Sequence, residues 1–182
     1  GLVGDDESLH KQVEAGKKHF VGHELRGSTL GIVGLGAIGS LLAESAIQLG
    51  MNVVGYDPEI TVDAAWRLPS QVRKATSVDD LVKRADFVSL HVPLLPATKD
   101  LINADRIKLM KKGAILLNFS REGIVNEAAA LDGLNEGRLH AYVCDFPSNL
   151  LRPHPHFVSL PHLGASTEEA EINCAKMAAR TL

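Results

Sequence analysis

Short apolar runs alternate along this chain with segments whose apolar residues recur three and four positions apart, the pattern of buried strands separated by amphipathic helices. Leu30, Ile32 and Val33 supply the first run. A glycine-rich turn follows, and then Ile38, Leu41, Leu42, Ser45 or Ala46, and Leu49 keep helical spacing up to a capping Gly50. Residues 51–56 form a second run, closed by Asp57 and Pro58. Ala64, Ala65 and Trp66 suggest a short helix and Leu81, Val82 and Ala85 another, before a strand over 87–92 stopped by Pro93 and a turn over 94–100. Ile102, Ile107, Leu109 and Met110 suggest a helix leading to Gly113, and 114–119 reads as a buried parallel strand. Asn126 caps a helix through Leu134 that stops at Gly137; 140–144 and 157–160 are further strands; Thr167, Glu168 and Glu169 open a final helix. Residues 1–18 are polar and suit a solvent-facing helix with Leu9 and Val13 four apart. The alternation predicts an α/β fold, a doubly wound parallel sheet in a single domain, with ligands at the carboxyl ends of the strands.

Composition narrows the partners. The chain has 182 residues, 45% of them apolar and 23% charged, enough for one well-buried domain. A net charge of -3 without a block of like charge argues against nucleic acid. Cys144 and Cys174 show neither C-x-x-C spacing nor a ligand cluster, so no metal is expected and reduced thiols suit a cytoplasmic compartment. No stretch approaches the roughly 18 apolar residues of a membrane helix, and no signal-peptide pattern opens the sequence.

The stretch Thr29-Leu-Gly-Ile-Val-Gly-Leu-Gly-Ala-Ile-Gly39 joins a strand, a glycine turn and a helix start. Gly34, Gly36 and Gly39 fit G-x-G-x-x-G, with Ala37 and Ile38 inside the turn: Gly34 for the tight bend, Gly36 for close approach of backbone amides to a pyrophosphate, Gly39 for helix-strand packing. The helix start adds the positive end of its dipole. Asp57, at the end of the next run, stands where an acid accepts from adenosine ribose hydroxyls and favours NAD over NADP. These features predict a Rossmann fold.

Two further side chains stand at predicted strand ends, Arg121 after 114–119 and His162 after 157–160. Arginine grips a carboxylate with a planar fork, and histidine exchanges protons near neutrality; together they suit hydride transfer to or from a 2-hydroxy acid. Most arginines and histidines serve structure or solvation. The shared location is what singles these two out.

Five motifs together resemble one family: Gly34 to Gly39, Gly55-Tyr-Asp-Pro58, His91-Val-Pro93, Asn118-Phe-Ser-Arg-Glu-Gly123 and Pro161-His-Leu-Gly-Ala-Ser-Thr-Glu-Glu169. The chain resembles the D-isomer-specific 2-hydroxy acid dehydrogenases, and within them the D-3-phosphoglycerate dehydrogenases, over nearly its whole length. The resemblance implies NAD as cofactor, Arg121 as the substrate-binding arginine and His162 as the catalytic acid/base. It also implies a cofactor-binding set of Gly34, Gly36, Ala37, Ile38, Gly39, Asp57, His91, Val92, Pro93, Thr98, Phe119, Ser120, Arg121, Asp145, His162 and Gly164. Asp145 resembles the acid that holds the nicotinamide amide; an acid that merely ends a strand is an equally good reading of it.

Two departures accompany the resemblance. The family glutamate that pairs with the histidine has no counterpart, because 146–161 contains no Asp or Glu, and Asn149 or Leu150 falls in its place. The family's substrate domain is also missing. The expectation is therefore an excised NAD-binding domain over 1–182, with 1–26 a lead-in helix and linker and 168–182 the start of a returning helix. The parent would oxidise D-3-phosphoglycerate on the way to serine and would form a homodimer through its NAD domain. Alternatives are a glyoxylate/hydroxypyruvate or D-lactate type reductase, a non-enzymatic NAD-sensing co-repressor-like protein and, fitting the Arg121 and His162 contexts poorly, a hydrolase of adenosylhomocysteine type.

Overall fold

The computed structural model describes residues 4–17, 22–164 and 166–181. In chain order the elements are α1 (Asp6–Lys17), β1 (Thr29–Val33), α2 (Ala37–Gln48), β2 (Asn52–Tyr56), α3 (Val62–Arg67), β3 (Arg73–Lys74) and α4 (Val78–Arg84). They continue as β4 (Phe87–Leu90), α5 (Ala104–Leu109), β5 (Ala114–Asn118), α6 (Glu127–Asn135), β6 (Leu139–Cys144), β7 (Phe157–Ser159) and α7 (Glu168–Thr181). Seven strands form one sheet in the order β3-β2-β1-β4-β5-β6-β7, and every pairing is parallel. The order reverses between β1 and β4. Such a switch point leaves a crevice outside the carboxyl ends of the strands.

The two sheet faces carry separate cores, as the two-residue period of a strand requires. Leu30, Ile32 and Val53 point to one face and meet Ala43 and Ala46 of α2. Val33, Val54, Val88, Leu90 and Leu116 belong to a larger core with residues of α4, α5 and α6, among them Leu81, Val82, Ile107 and Leu134. At the amino ends, the Asp86 carboxylate accepts from the Thr29 amide and from Lys111 Nζ, both at 2.8 Å, and bolts three segments together.

Helix starts and stops follow local chemistry. Thr61, Ser77, Asn103 and Asn126 cap α3 to α6 by accepting from the amides of Ala64, Asp80, Arg106 and Ala129. Gly50 ends α2 as expected: with φ 79° it donates to the Ile47 carbonyl while Met51 donates to that of Ala46, a Schellman arrangement.

Two expectations are corrected, and one element is added. The buried face of α2 is Gly39, Ala43 and Ala46, whereas Ile38 and Leu41 are 70% and 64% exposed; small residues let the helix approach the sheet closely, which pushes the larger ones outward. Ile102 belongs to no helix: it bridges Val125 beside the sheet, fully buried, and α5 begins only after Asn103. The two-residue edge strand β3 carries no apolar signal and was not anticipated. Of the expected helix over 1–18, residues 1–3 and 18 lie outside the described residues, as do Ala165 of the fifth motif and residue 182. The helix α1 buries no residue.

Candidate active site

Strand pairing aligns Tyr56, Val33, Leu90, Asn118, Cys144 and Ser159 in one row across the sheet. The residue after each of the first five is Asp57, Gly34, His91, Phe119 and Asp145. All five were candidates from sequence, and register alone brings them to the same level at the crevice.

The glycine turn is built by close contact. Gly34 takes φ 92° and donates to the Tyr56 carbonyl at 2.9 Å, and a Cβ there would lie 2.4 Å from the His91 carbonyl oxygen. A Cβ on Gly39 would lie 2.0 Å from the Gly34 carbonyl oxygen. Gly36 differs, because among the described residues nothing beyond its chain neighbours stands within 4 Å of where its Cβ would be. It is the N-cap of α2 and offers no side-chain cap, so the first-turn amides face open space, an arrangement that favours an anion.

That space is a cleft of about 290 Å³ lined by Gly36, Ala37, Ile38, Gly39, His91, Val92, Pro93, Phe119, Ser120 and Arg121. A second pocket, about 490 Å³, has Asp57 with Leu35, Pro58, Ile60 and Leu68 among its walls, a largely apolar slot with an acid and one lysine, Lys74, in its wall. Asp57 is oriented by two backbone donors, the amides of Leu35 at 2.8 Å to Oδ2 and of Glu59 at 3.0 Å to Oδ1. A carboxylate has about four acceptor positions, so capacity for hydroxyl donors is left over.

The Arg121 segment is held from beneath. Asn118, 1% exposed, donates through Nδ2 to the Arg121 carbonyl at 2.9 Å, and its Oδ1 accepts from the Ser120 amide and hydroxyl at 3.3 and 3.1 Å. The pKa of the Tyr142 hydroxyl is pushed up by burial, and the Asn118 side chain acts against that rise. Arg121 is exposed, donates to the Ser120 carbonyl at 2.6 Å, and forms no ion pair among the described residues. Sequence reasoning did not select Asn118 as a site residue. Its signal was a polar side chain closing an apolar run, which must find partners if buried.

His91 pairs through Nε2 with the buried Ser89 hydroxyl at 2.9 Å, and burial holds its pKa below the usual histidine value. Thr98 does not join the cleft lining. Its hydroxyl accepts from the Leu95 amide and contacts the Pro93 carbonyl, closing the turn after the His-x-Pro segment. Gly164 lies exposed after β7, and a Cβ there would meet no described residue within 4 Å.

At the far end of the row, Asp145 Oδ2 stands 2.8 Å from His162 Nδ1. The Asp145 side chain is 8% exposed and that of His162 51%. The Phe146 ring flanks the imidazole at 5.4 Å between centroids. Asp145 Oδ1 is buried and has no hydrogen-bond partner among the described residues. Asn149 and Leu150, where the family glutamate was expected, are both exposed. The acid beside His162 is Asp145.

An open cradle at Gly36, an uncapped α2, an acid at the end of β2 and an unsatisfied acceptor at the end of β6 fit a dinucleotide laid across the switch point. The chain belongs to the D-isomer specific 2-hydroxyacid dehydrogenase family, whose NAD binding domain it matches over residues 4–164. It is 41% identical over 167 residues to the D-3-phosphoglycerate dehydrogenase of Methanocaldococcus jannaschii, covering 88% of this chain and 32% of that one. It is 40% identical over 171 residues to that of Bacillus subtilis, covering 91% and 32%. The chain thus spans about a third of the length of these relatives. Among solved structures it resembles the apo D-mandelate dehydrogenase of Rhodotorula graminis (TM-score 0.79, 29% identity, 95% of this chain and 51% of that one). It also resembles the NAD complexed form of a D-isomer specific 2-hydroxyacid dehydrogenase from Lactobacillus delbrueckii ssp. bulgaricus (TM-score 0.77, 27% identity, 90% and 54%). No helix among the described residues is long and apolar enough to cross a membrane, and no group of three or more His, Cys, Asp or Glu among them could hold a metal ion.

Proposed function

We propose that this chain is the cofactor-binding part of an NAD-dependent enzyme that interconverts a D-2-hydroxy acid and its 2-keto acid, with D-3-phosphoglycerate the preferred substrate. The observation that carries the reading is the cleft in which Arg121 stands beside the uncapped start of α2. Held by the backbone of Gly36 to Gly39 at the start of α2, a nicotinamide cofactor would supply the hydride acceptor for oxidation and the hydride donor for reduction. Arg121 grips the substrate carboxylate and draws electron density from the adjacent carbonyl. His162 takes the hydroxyl proton as the hydride leaves carbon 2, and returns it in the reverse direction. The D-3-phosphoglycerate preference draws support from the two relatives above. The rest of the substrate pocket would come from a separate domain of the parent, and two copies would associate through the NAD domain, with the unburied α1 a candidate for that contact.

The parent enzyme should reduce 3-phosphohydroxypyruvate with NADH faster than glyoxylate, hydroxypyruvate or pyruvate. Arg121→Ala should lower kcat/KM on the order of a hundredfold or more, the loss of two charge-assisted hydrogen bonds, and leave NADH binding nearly unchanged. Turnover of none of the four keto acids, or a large loss of NADH affinity, overturns the reading. Sedimentation showing only monomer at high concentration removes the dimer.

A further inference from the structure

We infer that Lys74 is a specificity-determining residue of the slot beside Asp57: it supplies a counter-charge for a phosphate on the adenosine ribose, so that the chain excludes a 2′-phosphorylated dinucleotide less strictly than Asp57 alone would. This rests on the reading of that slot as the adenosine site of NAD.

Strand register places the lysine. β2 and β3 pair in parallel, Val54 beside Arg73 and Gly55 beside Lys74, and the Ala75 amide extends the pairing by donating to the Gly55 carbonyl at 2.8 Å. Successive side chains of a strand point to opposite faces. Val54 belongs to the larger core on one face, whereas a Cβ on Gly55 would lie 2.8 Å from Leu35 Cδ1, in the core under α2 on the other. Lys74, level with Gly55, and Asp57, two residues beyond it, therefore share the α2 face, and Arg73 takes the opposite one. Gly55 puts no side chain between the lysine and the acid.

Asp57 and Lys74 are the two charged residues of the slot lining. They form no ion pair with each other, and the Lys74 ammonium has no hydrogen bond or ion pair among the described residues. Asp57 takes one backbone amide on each oxygen and keeps acceptor positions for ribose hydroxyls. A 2′-phosphate in place of one hydroxyl meets that carboxylate as a like charge, and the free ammonium in the same lining offsets part of the repulsion. Lysine acts here as a flexible point charge on an exposed edge strand, so the offset is partial and Asp57 still decides the preference. An unphosphorylated ribose brings no charge for Lys74 to neutralise.

The test measures dissociation constants of this chain for NADH and NADPH. Lys74→Ala should weaken NADPH roughly threefold to tenfold and leave NADH within about twofold of the wild type, widening the gap between the two cofactors. Lys74→Arg should keep the wild-type affinity for NADPH. Arg73→Ala removes the same charge one residue away but from the opposite face, and should change neither constant; it separates a charge in the slot from the general field of the surface. Unchanged NADPH binding in Lys74→Ala overturns the inference, as does an equal loss of NADH and NADPH. An Arg73→Ala chain that weakens NADPH as much as Lys74→Ala does so too, and so does a wild type that binds NADH but shows no affinity for NADPH. A wild type that binds neither cofactor would instead overturn the functional reading on which the inference rests.

Discussion

The Leu35 amide donates to Asp57 Oδ2 at 2.8 Å, tying the glycine turn after β1 to the end of β2. The carboxylate is thereby held at the wall of the slot that would receive an adenosine ribose; Tyr56-Asp-Pro-Glu-Ile60 holds no basic residue, and the cation in the slot's lining is Lys74, on β3. NADH should bind at least about tenfold more tightly than NADPH, since like charges brought together at an interface cost several kcal/mol. Asp57→Ser should narrow the gap. Dissociation constants for both cofactors check this, and equal affinities in the wild type would contradict it.

The glycines of the turn should separate under substitution. Gly34→Ala puts a Cβ against the His91 carbonyl at positive φ, which should destabilise by about 1–3 kcal/mol and lower Tm by roughly 2–4 °C per kcal/mol. Gly36→Ala places its methyl in open space and should leave Tm unchanged while weakening NADH. Thermal melts beside cofactor titrations distinguish the two, and a Gly36→Ala chain that binds NADH normally would speak against the cradle.

Asn118→Ala should loosen the Arg121 segment without touching the cradle. Removing a buried amide that makes three hydrogen bonds should cost about 1–3 kcal/mol. ADP-ribose affinity should stay constant, whereas under the activity proposed above KM for the hydroxy acid should rise. An unchanged KM would show that the arginine orients itself.

Burial holds the His91 imidazole below the usual histidine pKa. Below about pH 6.5 the unfolded chain therefore binds a proton that the folded chain does not, and the stability from this residue, complete above that pH, declines as pH falls toward the folded value. Chemical denaturation between about pH 5 and 8 should show the wild type losing stability on acidification more steeply than His91→Asn. Parallel profiles would remove His91 as the cause.

Local chemistry along the chain dictates the alternation of strands and helices, the glycine turn and the end of α2 at Gly50, because burial on a strand or helix face and the demands of a tight turn act within a few residues. The same local chemistry made Asp57, Arg121 and His162 legible as strand-end candidates. What lies across the sheet was not legible. The exposure of Ile38 and Leu41 depends on how closely α2 approaches β1, and the edge strand β3 exists only because β2 offers it a partner. The hold of Asn118 on the Arg121 segment needs that loop to fold back over its own strand. Above all, the choice of Asp145 as the acid beside His162 follows from parallel pairing of β6 with β7, Cys144 opposite Ser159, which brings residues seventeen apart in sequence to 2.8 Å. Spacing along the chain shows that an acid and a histidine each end a strand; only the register between those strands decides that they meet.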